Sequence, residues 1–179
     1  MPASIIIVRM FHGSIRRWKY RQSYKEIGGL FGGHVVLQID DHVYDFIYKD
    51  KSQIHIFSNN RSKNCVFQKQ TVAAWETTVK DKKETSIFIP VNDTEKQFLL
   101  DFYHRNIDNP SYDYSFFGHR CASSCYVLLK DIQKIKGGHF YRTAFYPGQL
   151  LRKLLRQARL HNYKVVVKEG SSTRKWEFI

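Results

Sequence analysis

Three residue types in this chain, a cysteine, a histidine and an aspartate, stand where they could do nucleophilic chemistry together. Cys121 opens an apolar stripe at helical spacing (Cys121, Cys125, Leu128, Ile132, Ile135), so it is predicted to sit at the start of a helix. Unpaired N–H groups and the positive dipole end of a helix start favour thiolate over thiol, and Arg120 adds a positive charge beside it. A thiolate needs a proton shuttle in hydrogen-bond reach, and a shuttle imidazole is oriented by a carboxylate. His34 and Asp45 offer that pair on a predicted hairpin. With Asp40 and Asp41 as the turn, Ile39 faces His42 and Val36 faces Asp45. His34, Val36, Gln38, Val43, Asp45 and Ile47 then share one face, with His34 diagonal to Asp45. Gln38 and His42 are the other candidate orienters, and a slip of one residue would bring His42 to that face. His119 and Tyr114 are candidates to line the site, the latter through its hydroxyl.

The elements that must hold these residues follow from periodicity. A β-rich run covers about Ile5 to Met10, and a third strand beside the hairpin is expected around Gln53 to Phe57. The stretch from Ser58 to Thr85 is polar and reads as connections around a short element near Val72 to Trp75. Ser86 to Val91 is a further strand. Thr94 with Gln97 forms a capping box for a helix to about Asn106, and Asp108-Asn109-Pro110 ends it. An aromatic loop (Tyr112, Tyr114, Phe116, Phe117) leads to the helix of about Cys121 to Ile135. A basic helix, about Gln149 to His161, precedes a hairpin of Tyr163 to Lys168 and Arg174 to Phe178. The expectation is one α+β domain over residues 1 to 179, with a core of 1 to 140 and a basic helix-hairpin extension of 141 to 179.

The run Gly33-His34-Val35-Val36-Leu37, a second strand ending Val43-Tyr44-Asp45-Phe46, and a late helix opening His119-Arg120-Cys121-Ala122-Ser123-Ser124-Cys125 resemble the circularly permuted NlpC-type papain-like hydrolases. That group includes the lecithin retinol acyltransferase-like proteins and related bacterial families. The resemblance spans roughly residues 4 to 135. It implies an antiparallel sheet packed on helices, papain-like in permuted order, with Cys121 as nucleophile, His34 as general base and then acid, and Asp45 as orienter. It further implies a cysteine hydrolase or acyltransferase that cleaves an amide or ester of a peptide, a cell-wall peptide or a lipid through a thioester. Arg120 departs from the Asn common in the family, and Asp45 from the second His of several members.

Charge adds a rival reading. The chain of 179 residues carries a net +13, and residues 148 to 179 hold eight Lys or Arg against Glu169 and Glu177, a net +6. Arg152, Arg156 and Arg159 fall on one side of the basic helix, which suits an anionic polymer, an acidic membrane surface or nucleic acid. The cluster Arg16-Arg17-Trp18-Lys19-Tyr20-Arg21 would grip phosphate and stack on bases in a non-enzymatic nucleic-acid binder. Aromatics at 15% argue against a disordered chain. The run Ser4 to Val8 stops at Arg9, too short for a spanning helix or a signal-peptide core, so the cytoplasm is the expected compartment. Cys65, Cys121 and Cys125 are too few for a disulfide framework and are expected to be reduced. The spacing of Cys121 and Cys125 is looser than a zinc knuckle, and neither metal nor cofactor is expected.

Overall fold

Local hydrogen bonding fixes the centre of the sheet before any long-range pairing is considered. Strands β2 (His34–Ile39) and β3 (His42–Ile47) form the expected hairpin, with Ile39 opposite His42 and Leu37 opposite Tyr44. Asp40 takes the left-handed conformation in the turn (φ 50), which Asp tolerates better than most residues. The computed structural model describes residues 4–12, 33–50, 54–57, 64–115, 117–137 and 146–170. The basic cluster of Arg16 to Arg21, Gly28, Gly29, Gly32, Phe116 and the expected strand of Arg174 to Phe178 lie outside the described residues.

Around the hairpin the fold is α+β. Strand β1 (Ser4–Phe11) pairs antiparallel with β2 on one side and with β5 (Glu84–Val91) on the other. Strand β4 (Val66–Thr71) lies beside β3, and β6 (Lys164–Lys168) lies beside β5. The order is β4-β3-β2-β1-β5-β6, antiparallel throughout. Among the described residues four helices accompany it: α1 (Val72–Val79), α2 (Asp93–Asp108), α3 (Cys121–Asp131) and α4 (Pro147–His161).

Several expectations need correction. Residues 54–57 add no strand to the sheet; they make one isolated parallel bridge, His55 to Ser115, while Gln53 is outside the described residues. The edge of β3 is taken by β4 instead, because Phe67 then stacks beside Phe46 with ring centres 4.6 Å apart in the core. The cap of α2 is Asn92 with Glu95 rather than Thr94 with Gln97: the Asn92 side chain accepts from Glu95 N at 2.8 Å and Glu95 accepts from Asn92 N at 2.9 Å. Helix α3 stops at Asp131, two residues before Gln133 turns left-handed (φ 57), although Ile132 and Ile135 stay buried. Helix α4 starts earlier than expected, with Pro147 in the first turn, where a missing N–H costs nothing. Strand β6 pairs with β5, so residues 147–168 build the same sheet and core as the rest.

The sheet carries a core on each face. The larger gathers Ile6, Val8, Leu37, Tyr44, Phe67, Ile87, Leu99, Leu129, Leu150 and Leu154; the smaller gathers Phe11, Val36, Val43, Trp75 and Val79 under α1. Helix α3 is buried along almost its whole length and packs on β2 and β3, which brings its first residue to the hairpin.

Candidate active site

Gly33 precedes the site histidine at φ 93, a backbone region that side chains with a Cβ rarely adopt, and the next residue enters β2 as His34. His34 and Asp45 stand diagonally across the hairpin, and His34 Nε2 is 2.7 Å from Asp45 Oδ1. Asp45 is buried. Its bond occupies Nε2, and the imidazole also hydrogen bonds with the Cys121 thiol. His34 opens β2 and Cys121 opens α3, so the contact is made between the ends of two elements.

The helix start is arranged around that thiol. Ser123 Oγ accepts the Arg120 backbone N–H at 2.7 Å and donates back towards Gly118 O at 3.2 Å, which folds residues 118 to 123 into a tight entry. Arg120 stands at the capping position and its guanidinium holds only donors, so no side-chain acceptor from that position caps the first turn of α3. Its side chain lies over the Tyr146 ring, 5.3 Å from the centroid, and donates to the Tyr114 hydroxyl.

Charges within the site reinforce one another. Burial opposes a charge on the His34 ring, but Asp45 and then Cys121 outweigh it, and the His34 pKa stands well above its ordinary value. Burial likewise raises the Cys121 thiol, yet the charge and hydrogen bond of His34, followed by the charge of Arg120, bring it below its ordinary value. Cys125, one turn further into the same helix, moves the opposite way because burial dominates and the nearby Cys121 adds to it. Cys65 is fully buried and its thiol donates to Tyr112 O at 2.9 Å.

The remaining sequence-predicted residues separate into near and far. Tyr114 is buried against Phe46 and Tyr48, with its hydroxyl held protonated by burial and by the Cys121 charge. His119 stacks on Tyr112 at 3.8 Å, and burial lowers its pKa to about 4, so it is neutral at physiological pH. Gln38 is not at the site. It donates to Asp40 O at 3.2 Å at the turn end of the hairpin, four strand residues from His34, which is about 13 Å of extended chain. His42 pairs opposite Ile39 and Thr71 at that same far end. Arg152, Arg156 and Arg159 are exposed on α4. Among the described residues no group of three His, Cys, Asp or Glu side chains is placed to hold a metal ion, and no helix is long and apolar enough to cross a membrane.

Sequence reasoning missed the supports of the aromatic loop. Asp113 is fully buried and accepts the Asn64 backbone N–H at 2.8 Å, and Asn64 in turn joins Asp50 through two 2.8 Å bonds. An aspartate in a run of tyrosines reads as a turn residue, and nothing in the spacing ties it to Asn64.

No family model matches the chain, and no curated protein does. Among solved structures the chain is similar to the crystal structure of a type VI secretion system effector, TseH, with a TM-score of 0.48 and 10% identity over 94% of this chain and 99% of that one.

Proposed function

We propose that the protein is a cysteine-dependent hydrolase or acyltransferase, papain-like in permuted order, that cleaves an amide or ester bond through a thioester. One observation carries the reading: Cys121, at the start of a buried helix, shares a hydrogen bond with His34, whose Nε2 is held by buried Asp45 at 2.7 Å. The opposed pKa directions, thiol down and imidazole up, favour a thiolate–imidazolium pair at neutral pH.

In the proposed cycle the Cys121 thiolate attacks the substrate carbonyl carbon and the carbonyl electron pair moves to oxygen. The Cys121 backbone N–H at the uncapped helix start is positioned to donate to that oxyanion. Collapse breaks the bond to the leaving group, which takes the His34 proton and leaves a thioester with neutral imidazole. His34 then removes a proton from water or another acceptor as it attacks. Release of thiolate restores the pair. Asp45 holds the ring in place throughout, as the hydrogen-bonded carboxylate does in other triads.

The test is the pH dependence of iodoacetamide labelling at each cysteine, resolved by mass spectrometry, for wild type, His34→Ala and Asp45→Ala. The reading expects Cys121 to label with an apparent pKa below that of an ordinary thiol and both substitutions to raise it. A Cys121 that labels like Cys65 in all three proteins would end the catalytic claim. The rival, binding of nucleic acid or another polyanion, is supported by the joint exposure of Arg152, Arg156 and Arg159. It predicts steeply salt-dependent oligonucleotide binding that survives Cys121→Ala.

A further inference from the structure

The loop that delivers Tyr114 to the core and Cys121 to His34 also carries Phe117, which joins Ile56 and Phe57 of a second segment in an exposed apolar tip. Ile56 and Phe57 are each 63% exposed and Phe117 is 39% exposed. The Phe57 and Phe117 rings lie 5.8 Å apart, and the Phe117 backbone N–H donates to Ile56 O at 2.8 Å. The bridge between His55 and Ser115 ties the same two segments a second time. Three large apolar side chains are thus held together in water by backbone bonds, an arrangement that costs free energy unless a partner covers it.

Exposure and charge together select the partner. Exposed aromatic and aliphatic side chains clustered in this way suit the boundary between headgroups and acyl chains. The flanking sequence, residues 49 to 63, carries Lys49, Lys51, Arg61 and Lys63 against Asp50, a net +3 within a chain of net +13. Lys49 is exposed. Basic residues that neighbour an apolar tip in sequence, in a chain of net +13, complement an anionic bilayer surface. Cys121 lies four positions after Phe117, so their Cα atoms are at most about 14 Å apart.

We infer that Ile56, Phe57 and Phe117 dock the protein on anionic bilayers and turn the Cys121 face towards substrates held at that surface. Docking stands on the tip alone; the orientation of a working nucleophile rests on the function proposed above.

The experiment is co-sedimentation with phosphatidylcholine vesicles, with and without phosphatidylglycerol. It uses the full chain, an Ile56→Ser/Phe57→Ser double variant, Phe117→Ser, a triple Arg152→Gln/Arg156→Gln/Arg159→Gln control and Cys121→Ala. Wild type is expected to bind the anionic vesicles and not the neutral ones. The double variant should partition at least about tenfold more weakly and Phe117→Ser less so, while the triple variant keeps most of the binding. Cys121→Ala should bind like wild type, so docking is decided even if the thiol proves inert. Circular dichroism and the Cys121 labelling rate show that the tip variants remain folded. Binding unchanged in the tip variants but lost in the triple variant would overturn the proposal in favour of simple charge attraction. Absence of vesicle binding by wild type, with the tip variants weakening capture of a soluble apolar peptide instead, would overturn it in favour of a peptide subsite.

Discussion

The sheet carries two ionic groups, one at the β2–β3 hairpin and one centred on β1, and they are built on different principles. At one end of β2, His34 is bonded to Asp45 and to a thiol that can exchange a proton with it. On β1, Arg9 meets Glu84 through Nε and Nη2, each at 2.7 Å, and reaches Glu76 on α1; Ser86 completes Glu84, and Lys168 of β6 meets Glu76 at 3.4 Å. Arg9 cannot lose its proton in the working pH range, so the second group has a single ionic state. It staples α1, β1, β5 and β6. In the first the thiol is lowered and the imidazole raised, so one proton lies between two groups that can each hold it. Burial of charge therefore does not separate a site from a staple; a proton with two places to go does.

Substitutions should pull the two groups apart. The largest effect expected is loss of all rapid alkylation at neutral pH in Cys121→Ala, because Cys125 is pushed towards the thiol whereas Cys121 is lowered, and the Cys65 thiol is fully buried and donates to Tyr112 O. Mass spectrometry of the labelled peptides reads this directly, and fast labelling at Cys125 would break the comparison. Next comes Arg9→Ala, which strands the buried Glu84 carboxylate and should cost about 3–5 kcal/mol in urea unfolding, while Cys121 labelling in the folded protein stays unchanged.

His34→Ala should slow Cys121 labelling near pH 6.5 about tenfold for each unit by which the thiol pKa rises. Its stability effect has a definite sign. The folded pKa of His34 lies above the unfolded value near 6.5, so the stabilisation from its charge is complete below that pH and fades as pH rises through the folded value. The gap in urea midpoint between wild type and His34→Ala should be widest near pH 5 to 6 and should narrow in alkali. The smallest effect is expected for His119→Phe. A ring that is neutral above about pH 4 adds no charge to the site, so the pH profile of Cys121 labelling should keep its midpoint.

What could be read in the sequence was local. The turn at Asp40 and Asp41 fixes its own register over a few residues, so the diagonal of His34 and Asp45 could be drawn without knowing the rest of the sheet. The helix beginning at Cys121 announced itself by the stripe that buries it. Strand β4 could not be read, since Gln68, Lys69 and Gln70 look like loop and only the distant Phe46 gives Phe67 a reason to be extended. Strand β6 was legible as a strand but not in its pairing, which is with β5 some eighty residues earlier. Gln38 was put beside His34 because alternation assigns a face and not a distance along it. At α2 the spacing of Thr94 and Gln97 mimics a capping box, and only hydrogen-bond geometry puts the cap two residues earlier, at Asn92.

The position of β1 in the sheet has a kinetic consequence. It is the first of the described strands, yet one of its flanks is closed by β5, with Ser4 opposite Val91 and Phe11 opposite Glu84. Such pairings lie far apart in sequence, and the loop-closure entropy they require has to be lost before contacts reward it. Folding should therefore be slow for a chain of this size, in the range of milliseconds to seconds for sheets dominated by distant pairings. During synthesis β1 waits with one edge open until residue 91 has emerged, and the β-rich run Ile5-Ile6-Ile7-Val8 is the segment most exposed to wrong partners in that interval.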